Sequence, residues 1–220
     1  CNPFDLLWER NSSETARADL SFGTPISSVP VVGILQVDPQ KEYGDRSRHA
    51  LANDTIEKLC ASHPMAAVPI DTRLDENRTG LRTPEEVVSL IGRMDAVITT
   101  RLHGMVLALT QGVPALALDP IAGGAKISRQ AKSISWPACL RPEVFTREAV
   151  SEQWSFCLSE EARETARFAR ERAIEQVELV HREFVTAIRK QAGEIQEDAP
   201  PTETSVSRSH AAGRQKSAPT

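Results

Sequence analysis

Short apolar runs alternate with polar turns and helically spaced stretches along the first two thirds of the chain. Residues 31–37 read Val-Val-Gly-Ile-Leu-Gln-Val, an apolar and β-branched run that predicts a buried strand, with a helix following over 48–61. Residues 65–70 form a second strand, weakened by Pro69. Thr83-Pro84-Glu85-Glu86 opens a helix with a hydroxyl cap, a proline at the first position and acids at the positive end of the dipole. A third strand spans 95–100, and the helix over 102–111 closes at Gly112. A fourth strand follows at 113–118 and another helix at 125–133. This alternation predicts an α/β fold, a parallel sheet with helices on both faces.

Beyond Trp136 the period changes. Residues 146–157 read as a short helix and 159–190 as a long one. In the long helix Ala162, Ala166, Ala169, Ala173, Val177, Val180, Phe184 and Ile188 step by three and four, and the rest is Glu/Arg-rich. We expect a strap across the α/β domain, with self-association through this helix as its other use. Residues 194–220 carry no apolar periodicity and are expected to be a disordered tail. The domain plan is a lead-in over 1–30, an α/β domain over 31–145, a helical strap over 146–192 and a tail over 193–220.

Charge narrows the partners. Across 220 residues, 26 Lys and Arg against 30 Asp and Glu leave a formal charge of -4, which argues against a nucleic-acid or polybasic membrane binder. Cys1, Cys60, Cys139 and Cys157 lie far apart, as small buried hydrophobes in a reducing compartment rather than a metal knuckle. No paired-histidine pattern suggests a metal, and no membrane span or signal peptide is visible, so a cytoplasmic location is expected. The first residue is Cys1, read as the cut end of a longer polypeptide rather than a lipid attachment site.

In an open parallel sheet, ligands bind beyond the carboxyl ends of the strands. The third strand ends in Thr99-Thr100-Arg101, and Leu102-His103-Gly104 begins the next helix. The hydroxyl pair is suited to capping that helix. Arg101 offers a fork for carboxylate or phosphate, and His103 exchanges protons near neutral pH. Gly104 lets a ligand or neighbouring backbone approach closely. The fourth strand ends at Asp119, and the Gly123-Gly124-Ala125-Lys126 turn suits phosphate held by backbone N–H groups with Lys126 as a point charge. It lacks Walker A spacing. The loops over 38–46 and 71–77 are long and polar, as binding loops tend to be. His49, His63 and His181 are expected in structural or solvated roles.

Residues 95–126, DAVITTRLHGMVLALTQGVPALALDPIAGGAK, resemble the signature region of the polysaccharide pyruvyl transferase family. Thr100, Arg101, Leu102, His103, Gly104, Ala108, Gly112, Pro114 and Lys126 occupy the matching places. The resemblance implies a glycosyltransferase-B-like architecture of two Rossmann-like domains around a cleft. It also implies transfer of pyruvate from phosphoenolpyruvate onto sugar hydroxyls as a ketal, in cell-surface polysaccharide synthesis. Arg101 and His103 are the implied catalytic pair, and Thr100, Leu102, Gly104 and Lys126 join them in binding the donor. Phosphoenolpyruvate is then a substrate and no further cofactor is implied. Only 30 residues precede the first strand, so the chain corresponds to the donor-side half of such an enzyme, incomplete alone. Two other functions share the fold. One is a nucleotide-sugar glycosyltransferase using Asp119 as its ribose-binding acid; the other is a non-catalytic ligand- or partner-binding module.

Overall fold

Every residue of the two central apolar runs is buried, because layers of helix cover both faces of the sheet they form. The structure, a computed structural model, describes residues 18–39 and 41–192. The expected tail over 194–220 lies outside the described residues, as does most of the lead-in. Strands β1 (Val31–Leu35), β2 (Ala66–Pro69), β3 (Ala96–Thr99), β4 (Ala115–Leu118) and β5 (Cys139–Leu140) make one parallel sheet in the order β2-β1-β3-β4-β5. The fold is the α/β architecture expected from the alternation, Rossmann-like as the resemblance implies. Pro69 sits on the edge strand β2, where a missing ladder donor is tolerated.

The helices are α1 (His49–Ser62), α2 (Pro84–Ile91), α3 (Leu102–Thr110), α4 (Lys126–Ser133), α5 (Arg147–Cys157) and α6 (Glu160–Gln191). Helix α1 buries His49, Ala52, Ile56 and Leu59, one face at helical spacing. The Thr83 hydroxyl accepts from Glu86 N–H at 3.2 Å and caps α2, with Pro84 at its first turn. Gly112 ends α3 at φ +71°, a left-handed turn that a side chain would strain.

Each expected strand is two residues shorter in the fold, and at β1 and β3 side chains bond the flanking backbone. Asp95 Oδ2 accepts from Val31 N–H at 2.8 Å, and Thr100 Oγ1 accepts from Val37 N–H at 2.9 Å. Strand β5 was not anticipated, because two residues carry no period. Trp136 anchors the segment before it by donating from Nε1 to the Ala115 carbonyl at 2.8 Å.

The described chain divides into two compact units at Ile174/Glu175. In the first, Trp154 of α5 and Ala162, Ala166 and Ala169 of α6 are buried in the core. Arg172 Nε donates to the Ser133 carbonyl at 3.2 Å, so residues 160–174 lie along the domain as a strap. In the second, α6 continues with Val177, Val180, Phe184 and Ile188 exposed. No described helix is long and apolar enough to cross a membrane. The Cys157 thiol is fully buried, and burial pushes the Cys139 thiol up to about 11, so neither is a nucleophile at neutral pH.

Candidate functional site

The chain turns from β2 back across β1 to β3, so the winding direction reverses between β1 and β3. Ligands of open α/β sheets bind at such a point, outside the carboxyl ends of the strands. A cavity of about 350 Å³ lies there. Its wall takes Val37 from the segment after β1, Thr72 and Arg73 after β2, Thr100 to His103 after β3, and Asp119, Ala125 and Lys126 after β4.

The β3–α3 junction is built by the threonine pair, though not as expected. Thr99 and Thr100 do not cap α3, whose N-cap residue, Arg101, makes no side-chain bond to the helix amides. Instead Thr99 Oγ1 donates to the Leu35 carbonyl at 3.0 Å and accepts from Arg101 N–H at 2.9 Å. Together with Thr100 and Val37, this clamps the end of β3 to the end of β1. Among the described residues, the N–H groups of Leu102, His103 and Gly104 meet no acceptor, as at any uncapped helix start.

Of the two uses expected of Gly104, close approach of a ligand or of neighbouring backbone, the structure shows the second. Gly104 is absent from the cavity wall, and a Cβ there would collide with Thr99 Oγ1. Its bare backbone lets α3 approach β3, not a ligand.

Arg101 and His103 differ in setting. His103 is exposed at the cavity, whereas the Arg101 side chain is only 15% exposed. Arg101 Nη1 donates to Asp71 Oδ1 at 2.9 Å and to Thr72 Oγ1 at 2.7 Å. Its Nε and Nη2 form no hydrogen bond among the described residues. Asp71 and Thr72 escaped notice in the sequence, where the post-β2 loop showed only polarity.

The glycine turn after β4 also differs from expectation. Its amides are spent internally. Ala122 N–H donates to Arg46 O, Gly124 N–H to Ile121 O, and Gly123 N–H to Glu143 Oε1, a bond that holds the Glu143 carboxyl below its ordinary range. The buried Asp119 carboxylate accepts from Ile121 N–H at 3.2 Å, Ala125 N–H at 2.7 Å, Ser128 N–H at 2.9 Å and Ser128 Oγ at 2.7 Å. What the turn leaves for a ligand is the exposed Lys126 ammonium, unpaired among the described residues, and the Lys126 and Ile127 amides. The two helix starts therefore bring positive dipole ends and two cationic side chains to one cavity.

A further part of the wall comes from Tyr43 in two turns at Lys41–Arg46, a segment whose sequence carried no spacing signal. Arg46 Nη2 donates to the Ala122 and Gly124 carbonyls, and Arg48 N–H to the Pro120 carbonyl at 2.7 Å. This sets Tyr43, the single tyrosine of the chain, on the cavity. His49 lies behind it, buried rather than solvated, with Nδ1 at 2.8 Å from Ser47 Oγ and Nε2 without a partner. Burial lowers its pKa, against the raising influence of the Asp119 charge. Among the described residues no three His, Cys, Asp or Glu side chains stand together to hold a metal.

With that geometry on hand, comparison with known proteins shows what part of the chain is similar to a known family. The family model described as polysaccharide pyruvyl transferase matches residues 20–120. Residues 20–120 are thus similar to that family, and the match covers a little under half of the chain. The match takes in the Thr100-Arg101-Leu102-His103 junction and the clamp to β1, and stops before Lys126, whose place at the site rests on geometry. No curated protein matches the chain. Among solved structures, the crystal structure of the calicheamicin glycosyltransferase CalG4 is similar, with 20% identity and a TM-score of 0.44. The similarity covers 69% of this chain and 39% of that one, so the chain spans well under half of that enzyme.

Proposed function

We propose that this domain is the donor-binding part of a polysaccharide pyruvyl transferase, which moves pyruvate from phosphoenolpyruvate to a pair of sugar hydroxyls as a ketal. The observation that supports it most is the convergence of Arg101, His103 and Lys126 on one cavity with the uncapped start of α3 and the free Lys126 and Ile127 amides of α4. Phosphoenolpyruvate carries a carboxylate and a phosphate, and the free Nε/Nη2 edge of Arg101 matches a planar carboxylate. Lys126 and the α3 and α4 amides supply point charge and donors for phosphate.

In the proposed chemistry His103, as imidazolium, protonates C3 of the enol while C2 becomes cationic. The first sugar hydroxyl adds to C2 and passes its proton to the imidazole. Phosphate then departs, and the second hydroxyl takes its place on C2, its proton leaving with phosphate. The methyl of the ketal holds the proton given to C3. The acceptor is a sugar or polysaccharide precursor, and no cofactor is required. The expected cytoplasmic location is part of this proposal.

A nucleotide-sugar donor fits less well, because Asp119, the acid such a site would use for ribose, is buried with four hydrogen bonds already made. Thermal-shift titration separates the two, since stabilisation grows with ligand concentration over Kd. Phosphoenolpyruvate is expected to stabilise the protein and UDP-sugars are not; the reverse result refutes the proposal. Arg101→Ala should weaken phosphoenolpyruvate about 10- to 100-fold, the loss of about 1.5–3 kcal/mol in charge-assisted bonds. In an assay with acceptor, His103→Ala should lower turnover by about 10²–10⁴-fold at unchanged melting temperature. Binding without turnover under any acceptor would favour the non-catalytic module.

The exposed Val177, Val180, Phe184 and Ile188 favour self-association through the long helix as a property of the same protein. Analytical ultracentrifugation of the full chain tests it; a monomer at all concentrations refutes it.

A further inference from the structure

We propose that Asp71 is a positioning residue for Arg101, presenting the guanidinium's free edge to the donor; this rests on the phosphoenolpyruvate reading above. Both bonds that orient the guanidinium leave from Nη1, to Asp71 Oδ1 and Thr72 Oγ1. Fixing one corner of a planar fork directs its opposite edge, Nε and Nη2, and Arg101 is a lining residue of the cavity.

The bond works on Arg101 and not on the loop that carries Asp71. That loop is braced by its own residues. Asn77 Nδ2 donates to the Asp71 and Arg73 carbonyls at 2.9 and 2.6 Å. Asn77 Oδ1 accepts from Thr79 N–H at 2.9 Å and from Leu81 N–H at 3.0 Å, and Asp71 N–H donates to Thr79 Oγ1 at 3.2 Å. Asp71 Oδ1 also accepts from Arg73 N–H at 3.0 Å, so the carboxylate is itself held still. Both side chains of the pair are close to 15% exposed, where desolvation offsets attraction and the pair adds little to folding stability. Orientation is what it supplies.

A carboxylate that only neutralised Arg101 would behave differently from one that aims it. Asp71→Asn and Asp71→Ala lose the same charge, and only Asn keeps an oxygen acceptor for Nη1. We expect Asp71→Ala to weaken phosphoenolpyruvate about 10-fold by calorimetry, and Asp71→Asn to stay within about threefold of wild type. Thr72→Val, which removes the second acceptor, should cost about threefold and covers the case in which Asp71→Ala fails to fold. Equal binding by Asn and Ala, or tighter binding by both, overturns the positioning role while leaving the donor reading intact. Wild-type protein that binds no phosphoenolpyruvate overturns the donor reading and this role with it.

Discussion

Two strand-to-helix junctions face the same cavity and are finished in opposite ways. After β4, one buried carboxylate gathers the amides of Ile121, Ala125 and Ser128, so the turn is satisfied from within. After β3, the side chains that would cap the helix are turned back onto β1, and the first amides of α3 are left without acceptors. Similar topology thus yields a closed junction that shapes the wall and an open one that suits an anion. A hydroxyl or carboxylate near a helix start does not reveal which it serves; its partners do.

Breaking the closed junction should have the largest effect. Asp119→Ala strands three backbone donors and the Ser128 hydroxyl, and should cost roughly 3 kcal/mol or more in denaturant unfolding. A loss under about 1 kcal/mol would show that water or relaxation satisfies the turn equally well, and that the contrast between the junctions is overdrawn.

At the open junction, Gly104→Ala should cost about 2 kcal/mol by forcing a methyl against Thr99 Oγ1. The double variant with Thr99→Ala should recover part of that loss. Additive losses would place the strain elsewhere.

The smallest effect comes from His49 behind the closed junction. Burial holds its folded pKa below the ordinary 6.5, so the unfolded chain binds a proton first as pH falls. Its contribution to stability is therefore complete above pH 6.5 and declines below it, toward the folded pKa. Unfolding midpoints followed from about pH 7.5 to about pH 5 should fall more steeply for wild type than for His49→Gln. Parallel curves would show that His49 is protonated as readily in the fold as outside it.

Much of the plan was legible in sequence because it is local. The apolar runs of β1, β3 and β4, the Thr83-Pro84 start and the Gly112 stop depend on neighbours within a turn or two. The Arg101-Leu102-His103 junction was legible too, since its place at a strand end is a matter of chain order. The Thr99–Thr100 pair, expected to cap α3, instead ties β3 to β1, and Gly104, expected to admit a ligand or neighbouring backbone, admits the backbone. Asp71, Thr72 and Tyr43 were invisible, because their loops carry no period and reach the site only through partners some 30 to 80 residues away.

Backbone propensity and hydrophobic period, both short-range, were enough to determine an α/β chain with its candidate chemistry after the third and fourth strands. The strand order, and with it the reversal that opens a cavity between β1 and β3, was decided only in three dimensions. So was the division of labour among polar groups. A carboxylate or hydroxyl can satisfy many donors, and which ones it meets is set by the packing of distant segments, as Asp119 and Asp71 show.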